Sequence, residues 1–122
     1  MSAIAKVVVA LVALLHLYFL VLEMFLWTKP AGRRVFRTTP EFAAASRTLA
    51  ANQGLYNGFL AAGLLWGIAR SGGGDGSAIV LFFLACVVVA GVFGAATVSR
   101  RILWVQALPA FVAIALTLLS RA

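Results

Sequence analysis

Apolar residues fall into four long runs along this chain, at 3–27, 48–69, 78–98 and 102–119, and the polar residues gather between them. A helix of about 18–25 residues crosses a hydrocarbon core about 30 Å thick at about 1.5 Å per residue. Each run has that length. No ten-residue alternation of apolar and polar positions suggests barrel strands, so the runs are predicted to be helices. The expectation is an all-α membrane protein, with four transmembrane helices in an antiparallel bundle and a single domain over residues 1–122. Pro30 and Gly32 break the pattern after the first run, and residues Ser71 to Gly76 read as a flexible turn. Lys6 followed by VVVALVALL has the look of a signal peptide. The run continues to Trp27 with no small-x-small cleavage site after it, so it reads as a retained first span.

The segment between the first two runs, 28–47, is a basic loop with a local signal of its own. Thr39-Pro40-Glu41 reads as a hydroxyl N-cap, a proline where no N–H is needed, and an acid that the helix dipole favours. The second helix is therefore predicted to begin near Pro40 and to extend into the cytoplasm, with Phe36 and Phe42 dipping into the headgroup region. Trp27 and Trp104 fit an aromatic belt on the cytoplasmic side, and Trp66 one on the outer side.

The strong polar residues inside the runs fall at matching depths. With helices of alternating direction, Glu23, Gln53, Asn57 and Gln106 all lie toward one leaflet, and His16 lies about 10 Å deeper than Glu23. His16 and Glu23 are seven apart and share one helix face, and Gln53 and Asn57 are four apart and share another. An ionisable group facing lipid costs about 2.5–3.5 kcal/mol at a helix centre, so these faces are expected to turn inward. The simplest arrangement is a polar cavity near the cytoplasmic leaflet, lined by His16, Glu23, Gln53, Asn57 and Gln106. The competing structural reading is that such residues bond across helices and serve packing alone. His16, Glu23 and Cys86 make no recognised metal spacing, so no metal site and no cofactor is assigned. Ala50, Gly54, Gly58 and Ala62 form a small-residue stripe on the second helix, suited to close contact within the bundle or between subunits of a homo-oligomer.

Composition and charge narrow the function classes. Only 11% of the residues are charged against 64% hydrophobic, too little charge to cover a soluble surface. The net charge is +7, but Lys29, Arg33, Arg34 and Arg37 cluster beside an apolar run. That placement points to anionic lipid headgroups and the cytoplasmic face, not to nucleic acid. Counting Lys and Arg gives seven in the first and third connections (29, 33, 34, 37, 47, 100, 101) and three elsewhere (6, 70, 121). The connections are thereby assigned to the cytoplasm and both termini to the outside. Cys86 stands alone, which excludes an intrachain disulfide.

HLYFLVLEMFLW at 16–27, VFRTTPEF at 35–42 and NQGLYNG at 52–58 resemble the small bacterial integral-membrane family known as domain of unknown function 1304. That resemblance implies a four-span protein of the bacterial inner membrane, with no assigned activity. In layout the chain is also similar to the membrane-associated glutathione and eicosanoid enzymes, with Arg47, Asn52 and Gln53 at comparable positions, although no acid follows Asn52 on the second helix. It is similar again to the small multidrug transporters, which carry one membrane glutamate on the first helix; Glu23 matches in helix but not in depth. The leading functional expectation is a bundle that takes a small ligand into its polar pocket. The alternatives are a proton-coupled small-molecule transporter using Glu23, a membrane enzyme with Glu23 or His16 as general base, and a purely structural protein.

Overall fold

A computed structural model describes residues 1–121, and those residues form helices and short connections. Helix α1 spans Ala3–Met24, α2 Pro30–Phe36, α3 Pro40–Ala69 and α4 Gly76–Thr97; a π-helical turn at Leu103–Ala107 then runs into α5, Leu108–Leu119. The chain is all-α among the described residues. Two helices, α1 and α4, are long and apolar enough to cross a membrane, and the 103–119 segment is a shorter apolar helix.

Local chemistry explains the boundaries. Ser2 caps α1, its hydroxyl accepting the Ala5 N–H at 3.1 Å. Thr39 caps α3 in the same way, accepting the Phe42 N–H at 3.2 Å, so the second long helix starts at Pro40 as its local signal predicts. α1 stops three residues short of the predicted end of the first run. The Phe25 and Leu26 N–H groups both return to the Val21 carbonyl, and the chain turns at Leu26 to Lys29. In α5, Pro109 has no N–H to offer the fourth carbonyl before it, and the wide π turn directly precedes it.

The predicted basic loop is more structured than expected. Pro30 and Gly32 do not break the chain there; they build α2. Lys29 is extended, Pro30 takes the first helical position, and the Arg33 N–H returns to the Lys29 carbonyl at 3.0 Å. Gly32 is buried, and any Cβ there would collide with the Leu26 carbonyl. α2 ends with Arg37 in the left-handed region at φ 55°, and the Arg37 and Thr38 N–H groups both close back onto the Arg33 carbonyl.

The chain divides into two compact units, Leu14–Ala61 and Met1–Ala13 with Ala62–Ala122. In Leu14–Ala61, Gly54 meets Glu23 and Met24, while Gly58, one turn on, meets Leu20. Increasing numbers on α3 thus face decreasing numbers on α1, and the two segments run antiparallel. The α3 residues buried here are Ala43, Ala50, Gly54, Asn57 and Ala61, a helical stripe of mostly small side chains that lets the backbones approach. The other unit repeats the device. Gly63 meets Phe83 and Gly67 meets Val80, pairing the end of α3 antiparallel with α4. Gly91 meets Ala107 and Gly94 meets Ile102, pairing α4 antiparallel with the last helical segment. Glycine positions that sequence left open between subunit contact and internal contact are occupied by neighbours within the chain.

The α3–α4 connection is tighter than a flexible linker. Arg70 and Asp75 form an ion pair at 2.8 Å with a second hydrogen bond from Nε, and Gly74 has φ 91°. The Arg70 guanidinium beside Asp75 holds its carboxyl below the usual range. A depressed folded pKa means a contribution that is full above the ordinary aspartate range and lost as pH falls through the lowered value. Arg70→Gln is expected to return the Asp75 midpoint upward to the ordinary range, as read by a carboxyl carbon titration in micelles.

Candidate functional site

The buried polar side chains of Leu14–Ala61 are His16 and Glu23 on α1 and Asn57 on α3. Glu23 is buried, 3% exposed, one residue from the end of α1. Asn57 is buried about one turn before the end of this unit on α3, and its Nδ2–H donates to Glu23 Oε1 at 2.6 Å. The small residues around Asn57 make the bond possible. A Cβ at Gly54 would stand 2.7 Å from Met24 Cγ and 3.1 Å from Glu23 Cβ, so only glycine allows α1 this close. The carboxyl has two oxygens and room for several donors, and Asn57 engages one of them.

His16 is fully buried, seven residues before Glu23 on the same face of α1. At about 1.5 Å per residue the two side chains are roughly 10 Å apart along the helix. The imidazole lies edge-on to Phe19, with centroids 5.6 Å apart and planes at 77°. An acid and an imidazole thus occupy one buried strip of α1, whose opposite side is aliphatic and aromatic, and an amide from α3 bonds the acid.

The other polar residues of the helices, Gln53 and Gln106 of the predicted pocket among them, are less buried. Gln53 is exposed although it shares a face with Asn57 by count; it stands at the edge of the stripe through Ala50, Gly54, Asn57 and Ala61, and the edge faces outward. Gln106 is half-buried in the π turn of the other unit. Arg47 and Asn52, like Gln53, are exposed on α3. Thr97 is exposed and its hydroxyl donates to the Phe93 carbonyl at 2.7 Å. Cys86 is half-buried.

Two features escaped sequence reasoning. Thr117 on α5 is fully buried, and its Oγ1 has no hydrogen-bond partner. Its surroundings in sequence, ALTLL, carry no other polar signal. The Trp27 indole N–H donates to Ser46 Oγ at 3.0 Å, and its ring lies 5.0 Å from that of Phe36, contacts that spacing alone does not reveal. Ser46 in turn donates to the Phe42 carbonyl at 2.7 Å. Phe36 is half-buried beside the Trp27 ring.

Over the described residues the molecule is all-α, with two helices long and apolar enough to cross a membrane and an acid–amide pair buried where α1 meets α3. The chain belongs to the family described as "Protein of unknown function (DUF1304)", which it matches over residues 10–118, a stretch that includes His16, Glu23 and Asn57. It is similar to the "Uncharacterized protein YpaA" of Lactococcus lactis subsp. lactis (strain IL1403), with 31% identity over 108 residues, covering 87% of this chain and 89% of that protein. No solved structure matches the chain.

Proposed function

We propose that the protein is a four-span protein of the bacterial inner membrane, with both termini outside, and that Glu23, Asn57 and His16 bind a small ligand within its cytoplasmic leaflet. The membrane reading rests on an inside-out distribution of side chains. Ile4, Val7, Leu11, Leu14, Tyr18, Val21 and Phe25 are exposed along α1, while His16 and Glu23 are buried. Water would favour the reverse, and hydrocarbon favours this. Both long apolar helices have antiparallel companions packed through glycines, which supports α3 and the last helix as the other two crossings.

The observation that carries the ligand reading is the 2.6 Å bond from Asn57 to a buried Glu23. A carboxyl in that position suits a ligand that brings a hydrogen-bond donor or a positive charge, and His16 lies two turns deeper on the same face. The shared buried face of Glu23 and His16 favours a second reading, proton-coupled transport through Glu23.

Native mass spectra of the full chain extracted from its own membranes test both, together with proton flux into vesicles loaded with a pH-sensitive dye. The ligand reading expects a small-molecule adduct on the native protein that Glu23→Gln loses. The transport reading expects a flux that the same variant abolishes. A native protein with neither adduct nor flux would leave the pair as helix packing and overturn both.

A further inference from the structure

We propose that α2 is a docking platform for the phosphate headgroups of anionic phospholipids, held in place by Trp27. The inference rests on the membrane reading above but not on any ligand at Glu23.

The segment 28–47 carries Lys29, Arg33, Arg34, Arg37 and Arg47 against the single acid Glu41. Lys29, Arg34 and Arg37 are exposed, and Arg33 is half-buried. A charged but floppy loop would lose much of its attraction to the entropy of ordering. This one is already ordered. Gly32 lets α2 fold back against the Leu26 carbonyl, Trp27 packs on Phe36 at the far end of α2, and the indole N–H ties the same residue to Ser46 on α3. The platform follows directly on α1, a helix of membrane-crossing length, and it presents a tryptophan and arginines together, the pairing suited to the water–lipid boundary.

Two further observations favour phosphate. Arg33 Nε and the Thr38 hydroxyl, which lie in the same closing turn, are shielded and have no hydrogen-bond partner. A phosphate oxygen reaching this turn would supply acceptors to both. Arg37 sits in the left-handed conformation that glycine adopts without penalty. A guanidinium stands at a position where the backbone alone would favour glycine.

The test uses the full chain in nanodiscs made from equal parts of phosphatidylcholine and phosphatidylglycerol, with retained lipids counted by native mass spectrometry. The native protein is expected to retain phosphatidylglycerol preferentially. Arg33→Gln/Arg34→Gln/Arg37→Gln is expected to lose that preference by a factor on the order of 100, from the attraction typical of three basic residues. Arg34→Lys/Arg37→Lys should keep most of it, and Arg100→Gln/Arg101→Gln should keep it all. Arg37→Gly gives opposite signs: a higher melting temperature with weaker retention. Added inorganic phosphate should not compete; competition at millimolar levels would assign the site to a free anion and overturn the lipid. An unchanged preference in the triple variant, or its loss in Arg100→Gln/Arg101→Gln alone, would overturn the assignment to α2. A chain that stays soluble without detergent and does not enter nanodiscs would overturn the membrane reading, and the platform with it.

Discussion

Asn57→Leu is expected to destabilise the protein by about 2 kcal/mol, and Glu23→Leu by a similar amount, while Glu23→Leu/Asn57→Leu recovers most of the loss. The asymmetry follows from what each single change leaves behind. A hydrogen bond contributes only about 0.5–1.5 kcal/mol net, but a buried polar group stripped of its partner loses about 1–3 kcal/mol of solvation with nothing in return. Asn57→Leu strands the Glu23 carboxyl in a helix face packed on small residues, and Glu23→Leu strands the Asn57 amide. Removing both replaces a polar contact by an apolar one of similar volume. With single losses of about 2 kcal/mol each and a double loss of about 1 kcal/mol, the coupling energy from the double-mutant cycle is expected to be about 3 kcal/mol, well above the roughly 0.6 kcal/mol average for side-chain hydrogen bonds between membrane helices. Unfolding in mixed micelles with rising sodium dodecyl sulfate measures it. Additive losses would mean that the 2.6 Å bond carries no coupling of its own. If the double variant is stable but loses the adduct or proton flux of the native chain, the pair serves function at the expense of stability.

How much of this could be read from sequence depended on whether the signal was local. Thr39-Pro40-Glu41 announces a helix start by its own chemistry, and α3 begins there. The inward turn of His16 and Glu23 follows from the cost of exposing them to an apolar medium, and both are buried. The same argument is ambiguous for Gln53, because an amide at the margin of a stripe can turn to either side, and only the position of α1 decides. α2 was hidden for a different reason. Pro and Gly disrupt a helix interior but serve its first turn and its close contacts, and telling these roles apart requires knowing that the Leu26 carbonyl stands against Gly32. Thr117 and the Trp27–Ser46 bond depend on tertiary neighbours that no spacing rule reveals.

Glycine roles divide along the same line, and this sets the second large effect. Gly76→Ala is expected to destabilise the protein by roughly 2–3 kcal/mol, near the upper end for overpacking a tight contact. A Cβ at Gly76 would lie 2.5 Å from the Gly67 carbonyl oxygen, 2.5 Å from the Ser71 nitrogen and 2.6 Å from the Arg70 carbonyl carbon. All three are backbone atoms, so no rotamer change relieves the overlap; the start of α4 would have to move away from the end of α3. Gly72→Ala is the matched control. It lies four residues earlier in the same glycine-rich stretch, is exposed, and has no heavy atom within 4 Å of the added carbon. That substitution should be neutral or stabilising by up to about 1 kcal/mol, because it restricts the unfolded chain more than the folded one. Arg70→Ala should fall between the two, since its ion pair with Asp75 is exposed and screened. Thermal unfolding in detergent ranks the three variants. If Gly76→Ala and Gly72→Ala melt together, the stretch is the flexible linker its composition suggests, and the close approach of α4 to α3 at this turn does not hold.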